Sequence, residues 1–133
     1  MDSTDRTDRL AVIIDDEAII LAGMEIMLET WGYRVVAVED AASALTALAE
    51  APPEAPPPSV IVSDYRLRNG VSGVDAVRAV REAAGAAVPA IILTGDTGAA
   101  LAAAAQREGF LVLHKPVQPA ELRRQIDRLV EAA

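Results

Sequence analysis

The sequence predicts an α/β domain: a doubly wound parallel sheet of five strands, each followed by a helix. Three observations carry this. Short apolar runs at 10–14, 34–38, 60–62, 90–93 and 110–113 alternate with segments of helical periodicity. Most of these runs are apolar throughout rather than at every second position, which marks strands covered on both faces, as in parallel sheets. Finally, four of the runs lead into polar positions: the Asp15-Asp16 pair, Asp64, Thr94 and Lys115. In an open parallel sheet, ligands gather at the carboxyl ends of the strands, where strand order reverses. These sequence-distant groups are therefore expected to converge. Carboxylates, a hydroxyl and a cation together suit a hard metal ion and a phosphoryl group.

The bulk properties agree with one such unit. The chain has 133 residues, suited to a single domain over 1–133 with its core at about 10–131. Apolar residues make up 52%, enough for an ordinary core without disulfides or structural metals. There is no Cys, which excludes thiol chemistry and thiolate zinc sites. A net charge of −8 argues against direct nucleic-acid binding, which needs clustered Lys and Arg. The polar start at 2–9 does not read as a secretory signal, and no apolar run reaches membrane-spanning length. A soluble cytoplasmic module without membrane contact is expected.

The elements follow in order. The first strand is 10–14. From Glu17 to Trp31 the large apolar residues Ile20, Leu21, Met24, Met27, Leu28 and Trp31 fall at helical spacing, and Gly32 stops the helix. The second strand is 34–38 and a short Ala-rich helix spans 41–49. Five prolines within 52–58 end that helix and read as a long surface loop. The third strand, 60–63, ends at Asp64, and Asn69-Gly70 marks a turn in the loop that follows. Ser72 is placed to cap a helix with Val74, Val77 and Val80 inward. Pro89 opens the fourth strand, which ends at Thr94. The turn 95–98 leads into an Ala-rich helix at 98–108, which offers little area to bury and should pack weakly. The fifth strand is 110–113. Pro119 suits the first position of the last helix, Glu121 favours its positive end, and Leu122, Ile126, Leu129 and Val130 face the core. Right-handed crossovers put two helices on one face and three on the other. The first strand is then central and the second lies at an edge, which puts Glu39 and Asp40 too far out to join the site.

The motifs Val12-Ile13-Ile14-Asp15-Asp16-Glu17, Val62-Ser63-Asp64-Tyr65, Ile92-Leu93-Thr94-Gly95 and His114-Lys115-Pro116 stand in this order at successive strand ends. Each alone is weak; together they are specific. With them the chain resembles the receiver domain of two-component response regulators from about Leu10 to Val130, most closely those attached to hybrid sensor histidine kinases. The resemblance implies a flavodoxin-like (βα)5 sheet with strand order 2-1-3-4-5. It also implies that Asp64 is the phosphoacceptor, a carboxylate nucleophile. Asp15, Asp16, Asp64 and the backbone carbonyl of Arg66 would bind Mg²⁺, with Asp15 acting through water. Lys115 and Thr94 would contact phosphoryl oxygens, and Lys115-Pro116 would be cis. The implied donor is a histidine kinase or a histidine phosphotransfer protein. The domain would be a signalling phosphoacceptor with self-catalysed phosphorylation and dephosphorylation, not an enzyme acting on a separate substrate.

Individual residues have plainer readings. Asp16 also suits a cap for the first helix. Thr94 alone suits a turn and Lys115 alone a solvated charge; their joint placement favours the site. His114, the only His, reads as structural or exposed, and Met24 and Met27 as core. The chain departs from the family where a Pro is usual four residues after the acceptor, which here is Arg68. It departs again at Val112, where an aromatic switch residue is usual. Switching through Thr94 and the fourth helix, and a monomer or weak dimer, are the resulting expectations. The length suggests a stand-alone receiver or one part of a hybrid kinase. The rival reading is a phosphohydrolase of the haloacid dehalogenase type. It needs an Asp-x-Asp-x-Thr run, which Asp15-Asp16-Glu17-Ala18-Ile19 does not supply, although Gly95-Asp96-Thr97 is similar to another of its motifs.

Overall fold

Strands form where the chain is apolar and β-branched. In the computed structural model, which describes residues 9–96 and 98–132, these are β1 (Leu10–Ile14), β2 (Arg34–Val38), β3 (Val60–Asp64), β4 (Ala90–Thr94) and β5 (Leu111–His114). The polar start at 2–8 and Thr97 of the 95–98 turn lie outside the described residues. All neighbouring strands are parallel, in the order β2-β1-β3-β4-β5, as expected. The central strands β3 and β4 are buried along their whole length, while β2 and β5 at the edges are half-buried.

The intervening helices are α1 (Ala18–Thr30), α2 (Ala41–Ala49), α3 (Gly73–Ala84), α4 (Ala99–Glu108) and α5 (Pro119–Ala132). Alternate strand residues point to opposite faces. Ala11, Ile13, Val60, Val62, Ile91 and Leu93 pack under α1 and α5 with Leu21, Met24, Leu28, Leu122, Ile126 and Val130. Val12, Ile14, Ile61 and Ile92 pack under α2, α3 and α4 with Ala44, Val74, Val77, Val80 and Leu101. Each fully buried Val, Leu or Ile contributes about 1.5–3 kcal/mol. In α4 only Leu101 and Ala104 are buried, so that helix is thinly anchored by apolar contact, as is α2 with Ala44.

Polar residues fix the helix ends. Asp40 accepts the Ser43 N–H at 2.7 Å and caps α2, and Ser72 accepts the Asp75 N–H at 3.2 Å and caps α3. Gly85 and Gly109 end α3 and α4 in the left-handed region. Asp16 caps nothing: Glu17 holds the cap position of α1, without a side-chain cap bond.

The α1 reading needs one correction. Ile20 does not turn inward but is 43% exposed, as are Ile19 at 88% and Ile26 at 66%. The helix is apolar on most of its circumference, so periodicity leaves its rotation undetermined; Leu21, Met24 and Leu28 are the side chains that meet the sheet.

Candidate functional site

The chain crosses from β1 to β2 on one side and then back past β1 to β3 on the other, so the winding reverses there. The crevice between the ends of β1 and β3 is thus the point of reversal where ligands bind. Asp15 and Asp16 directly follow β1, Asp64 ends β3, Thr94 ends β4 and Lys115 directly follows β5. The fold brings all five to one end of the sheet.

Their geometry is close. One carboxylate oxygen from each of Asp15, Asp16 and Asp64 lies within 4.8 Å of the others. Asp15 and Asp64 are buried and Asp16 is half-buried. Lys115 Nζ is 2.6 Å from Asp64 Oδ1, which also accepts the Tyr65 N–H at 3.1 Å. Both contacts fall on one oxygen and leave Oδ2 without a hydrogen bond among the described residues. Burial pushes the Asp15 carboxyl above the usual carboxylate range and the charge on Asp64 adds to this, against the Glu17 N–H donated to Asp15 Oδ1 at 2.8 Å. Carboxylates gathered with little water favour a compensating cation. Hard oxygen donors without sulfur or imidazole fit a hard divalent ion.

The other residues of the site are held from the backbone. Thr94 Oγ1 accepts the Asp96 N–H at 2.9 Å, which leaves the hydroxyl proton for another acceptor. After Asp64 the chain doubles back: Gly73 N–H bonds the Tyr65 carbonyl at 2.6 Å and Leu67 N–H bonds the Val71 carbonyl at 3.0 Å. These bonds form the Arg66–Ser72 bridge without using the Arg66 carbonyl. The Arg66 side chain reaches across the mouth to Asp96, N to O 2.7 Å. Asp64, Tyr65, Arg66, Thr94, Gly95, Asp96 and Lys115 line an open cavity of about 370 Å³. The Lys115-Pro116 bond is cis. His114 is exposed at the end of β5.

Several contributors escaped the sequence reading. A Cβ on Gly73 would sit 2.3 Å from the Asp64 carbonyl oxygen, so only Gly lets α3 start this close to β3. Buried Ser63 donates its hydroxyl to the same Asp64 carbonyl at 2.9 Å. Arg68 donates to the Asp16 carbonyl at 2.9 Å and lies 3.8 Å from Glu39. Glu39 is therefore tied to the rim of the site despite its edge strand, because a long Arg bridges the gap. Asp40 serves only α2.

Comparison with known proteins gives one consistent answer. The family model described as response regulator receiver domain matches residues 11–127. The phyllosphere-induced regulator PhyR of Methylorubrum extorquens is 31% identical over 111 residues, covering 84% of this chain; the chain spans only 39% of that relative's length. A response regulator receiver domain protein from Clostridium thermocellum has a TM-score of 0.78 at 26% identity, covering 93% of this chain and 95% of its own. A response regulator receiver protein from Sinorhizobium medicae WSM419 has a TM-score of 0.76 at 27% identity, with the same coverage.

Proposed function

Because the chain belongs to the response regulator receiver domain family, we propose that it takes a phosphoryl group from phosphohistidine onto Asp64 and signals through the resulting change of shape. The observation that carries this is the buried Asp64 carboxylate at the end of β3, with Lys115 at 2.6 Å and two further carboxylates within 4.8 Å.

The chemistry follows from these positions. The free oxygen of Asp64 attacks phosphorus and a P–O bond forms. The P–N bond to the donor imidazole breaks, and its electron pair remains on the ring nitrogen. The product is an acyl phosphate on Asp64. Lys115 offers a fixed positive charge to one phosphoryl oxygen, and the Thr94 hydroxyl offers its proton to another. Asp15, Asp16, Asp64 and the Arg66 carbonyl are the groups that would hold Mg²⁺, with Asp15 acting through water. The ion would offset the charge of three carboxylates and an incoming anion. Gly95, without a side chain, leaves the approach open.

The donor is a histidine kinase or a histidine phosphotransfer protein, and the setting a cytoplasmic phosphorelay, including that of a hybrid kinase. The face beside the site supports a protein partner. Ile19, Ala22, Gly23 and Ile26 line one exposed side of α1 at helical spacing. Apart from its chain neighbours and the nearby backbone of α1 itself, nothing lies within 4 Å of where a Gly23 Cβ would be, which leaves room for an incoming helix. Val112, which lacks a ring to swing, leaves switching to Thr94 and α4, and the domain a monomer or weak dimer.

Intact-mass measurement after acetyl phosphate treatment tests the assignment. One phosphoryl adduct is expected, absent in Asp64→Asn and absent in EDTA. An undiminished adduct in Asp64→Asn overturns Asp64 as the acceptor.

A further inference from the structure

We propose that Arg68 is a resident counter-ion of Asp16 that lowers the affinity of the acidic cluster for a divalent cation. This rests on reading Asp15, Asp16 and Asp64 as the cation site.

The three carboxylates are neutralised differently. Asp64 has Lys115 at 2.6 Å, and Asp15 has the Glu17 N–H at 2.8 Å. Asp16 has Arg68: Nε lies 3.7 Å from Oδ2, and Nη2 donates to the Asp16 carbonyl at 2.9 Å. The same guanidinium reaches Glu39 with Nη1 at 3.8 Å. A single side chain from the β3–α3 loop thus ties the loops after β1 and β2. The backbone aims it: Arg68 opens a 3-10 turn whose next residues, Asn69 at φ 62° and Gly70 at φ 73°, are both left-handed. Asn and Gly are the residues that tolerate this conformation best.

A cation ligated by Asp16 sits about 2.1 Å from its oxygen, so it lies within about 6 Å of the guanidinium. Two positive charges at that distance repel. Ion entry therefore works against the Arg68 charge, whether or not the guanidinium swings away from the Asp16 carboxylate. Its side chain is 68% exposed, so it is free to do so, and salt screens the contest. A purely structural role makes the opposite prediction: if Arg68 only held the β1–α1 loop in a binding shape, its loss would weaken the ion.

Calorimetric titration of the metal-free protein with MgCl₂ separates the two. In low salt Arg68→Gln should bind Mg²⁺ about fivefold more tightly than wild type, the size of one partly screened charge interaction. The gain should shrink in about 0.5 M salt, where screening is nearly complete. Arg68→Lys, which keeps the charge, should stay near wild type. Unchanged or weaker binding by Arg68→Gln overturns the proposal, and so does an Arg68→Lys that behaves like Arg68→Gln. If neither wild type nor Arg68→Gln binds Mg²⁺, the cation site itself is disproved and Arg68's role falls with it. Binding by wild type alone removes only the Arg68 proposal.

Discussion

Asp64 lies 8% exposed beside two other acids. Lys115 and the Tyr65 N–H both contact one of its oxygens and leave the other without a hydrogen bond among the described residues. The pair just outside acts differently. Arg66 and Asp96 meet at 2.7 Å across the mouth, with Arg66 78% exposed. Arg66 also lies 5.9 Å above the Tyr65 ring, a contact that steadies its guanidinium. An exposed pair of this kind is worth about 0–1 kcal/mol, so breaking it should leave the unfolding midpoint nearly unchanged. Its effect belongs to rate, since about 1.4 kcal/mol of barrier is tenfold. The pair lines the same cavity as Asp64, so on the proposed function it stands beside the path of a hydrolytic water to the phosphoryl group. Arg66→Ala and Asp96→Ala should each shorten the life of the acyl phosphate by about two- to fivefold, a fraction of that tenfold step. The double variant should decay no faster than the singles, because the gate is already open. Decay of phosphorylated protein followed by mass checks this; additive effects, or slower decay in either single variant, would rule the gate out. Both residues stand two positions past a strand end, at Asp64 and at Thr94.

Among the elements, α2 shows how a cap ties stability to pH. Asp40 accepts the Ser43 N–H at 2.7 Å, and that bond, then the Ser43 hydroxyl, holds its carboxyl below the usual range. A depressed folded value means that the charge contributes above the unfolded value. It is lost as pH falls through the folded one. Asp40→Ala should cost about 1 kcal/mol at neutral pH, the usual size of a cap. The difference from wild type should narrow in acid, as urea unfolding at the two pH values will measure; a gap that widens in acid contradicts the assignment. The edge position of Asp40 and its exclusion from the site were legible in sequence. The rotation of α1 was not, because Ile19, Ile20, Leu21, Met24, Ile26, Met27 and Leu28 clothe most of its surface. Only packing against β1 and β2 selects Leu21, Met24 and Leu28, and so frees Ile19 and Ile26. Ile26→Lys should leave the acetyl phosphate reaction intact while slowing transfer from a histidine donor protein by about tenfold or more, as for an apolar anchor at an interface. Equal slowing of both reactions would place the fault in the site, not on a docking face.

For the whole molecule, strict alternation and right-handed crossovers made the central first strand and the edge second strand legible, and the family resemblance supplied the full strand order. Strand ends then named the five site residues without any contact being known. What spacing could not reveal is the reach of flexible Arg side chains, whose partners depend on loop geometry. Arg68 joins the loops after β1, β2 and β3 at the site end. Arg81 does the corresponding work at the far end: it donates to the carbonyls of Val88, Glu108 and Gly109, tying the end of α3 to the start of β4 and the end of α4. Arg78 adds a pair to Glu108. The two ends of the domain therefore differ. Near the site α4 begins at Gly98 with no side-chain cap, while its other end is fastened. On the proposed function, a change at Asp64 and Thr94 would move the start of α4 and leave the opposite end still. Trp31 is the reporter for that opposite end. It follows α1, which runs back from the site, and packs against the core under α1 and α5. The Arg123 guanidinium lies 5.7 Å from its ring centre. Trp31 emission should therefore barely respond to millimolar Mg²⁺ or to beryllofluoride. Arg123→Ala should change it clearly, since the cation over the ring is then gone. Titrating wild type and Arg123→Ala under both ligands gives the comparison. A strong saturable quench in wild type would mean that changes at the site cross the whole sheet, and that the anchors at Arg78 and Arg81 do not hold the far end fixed.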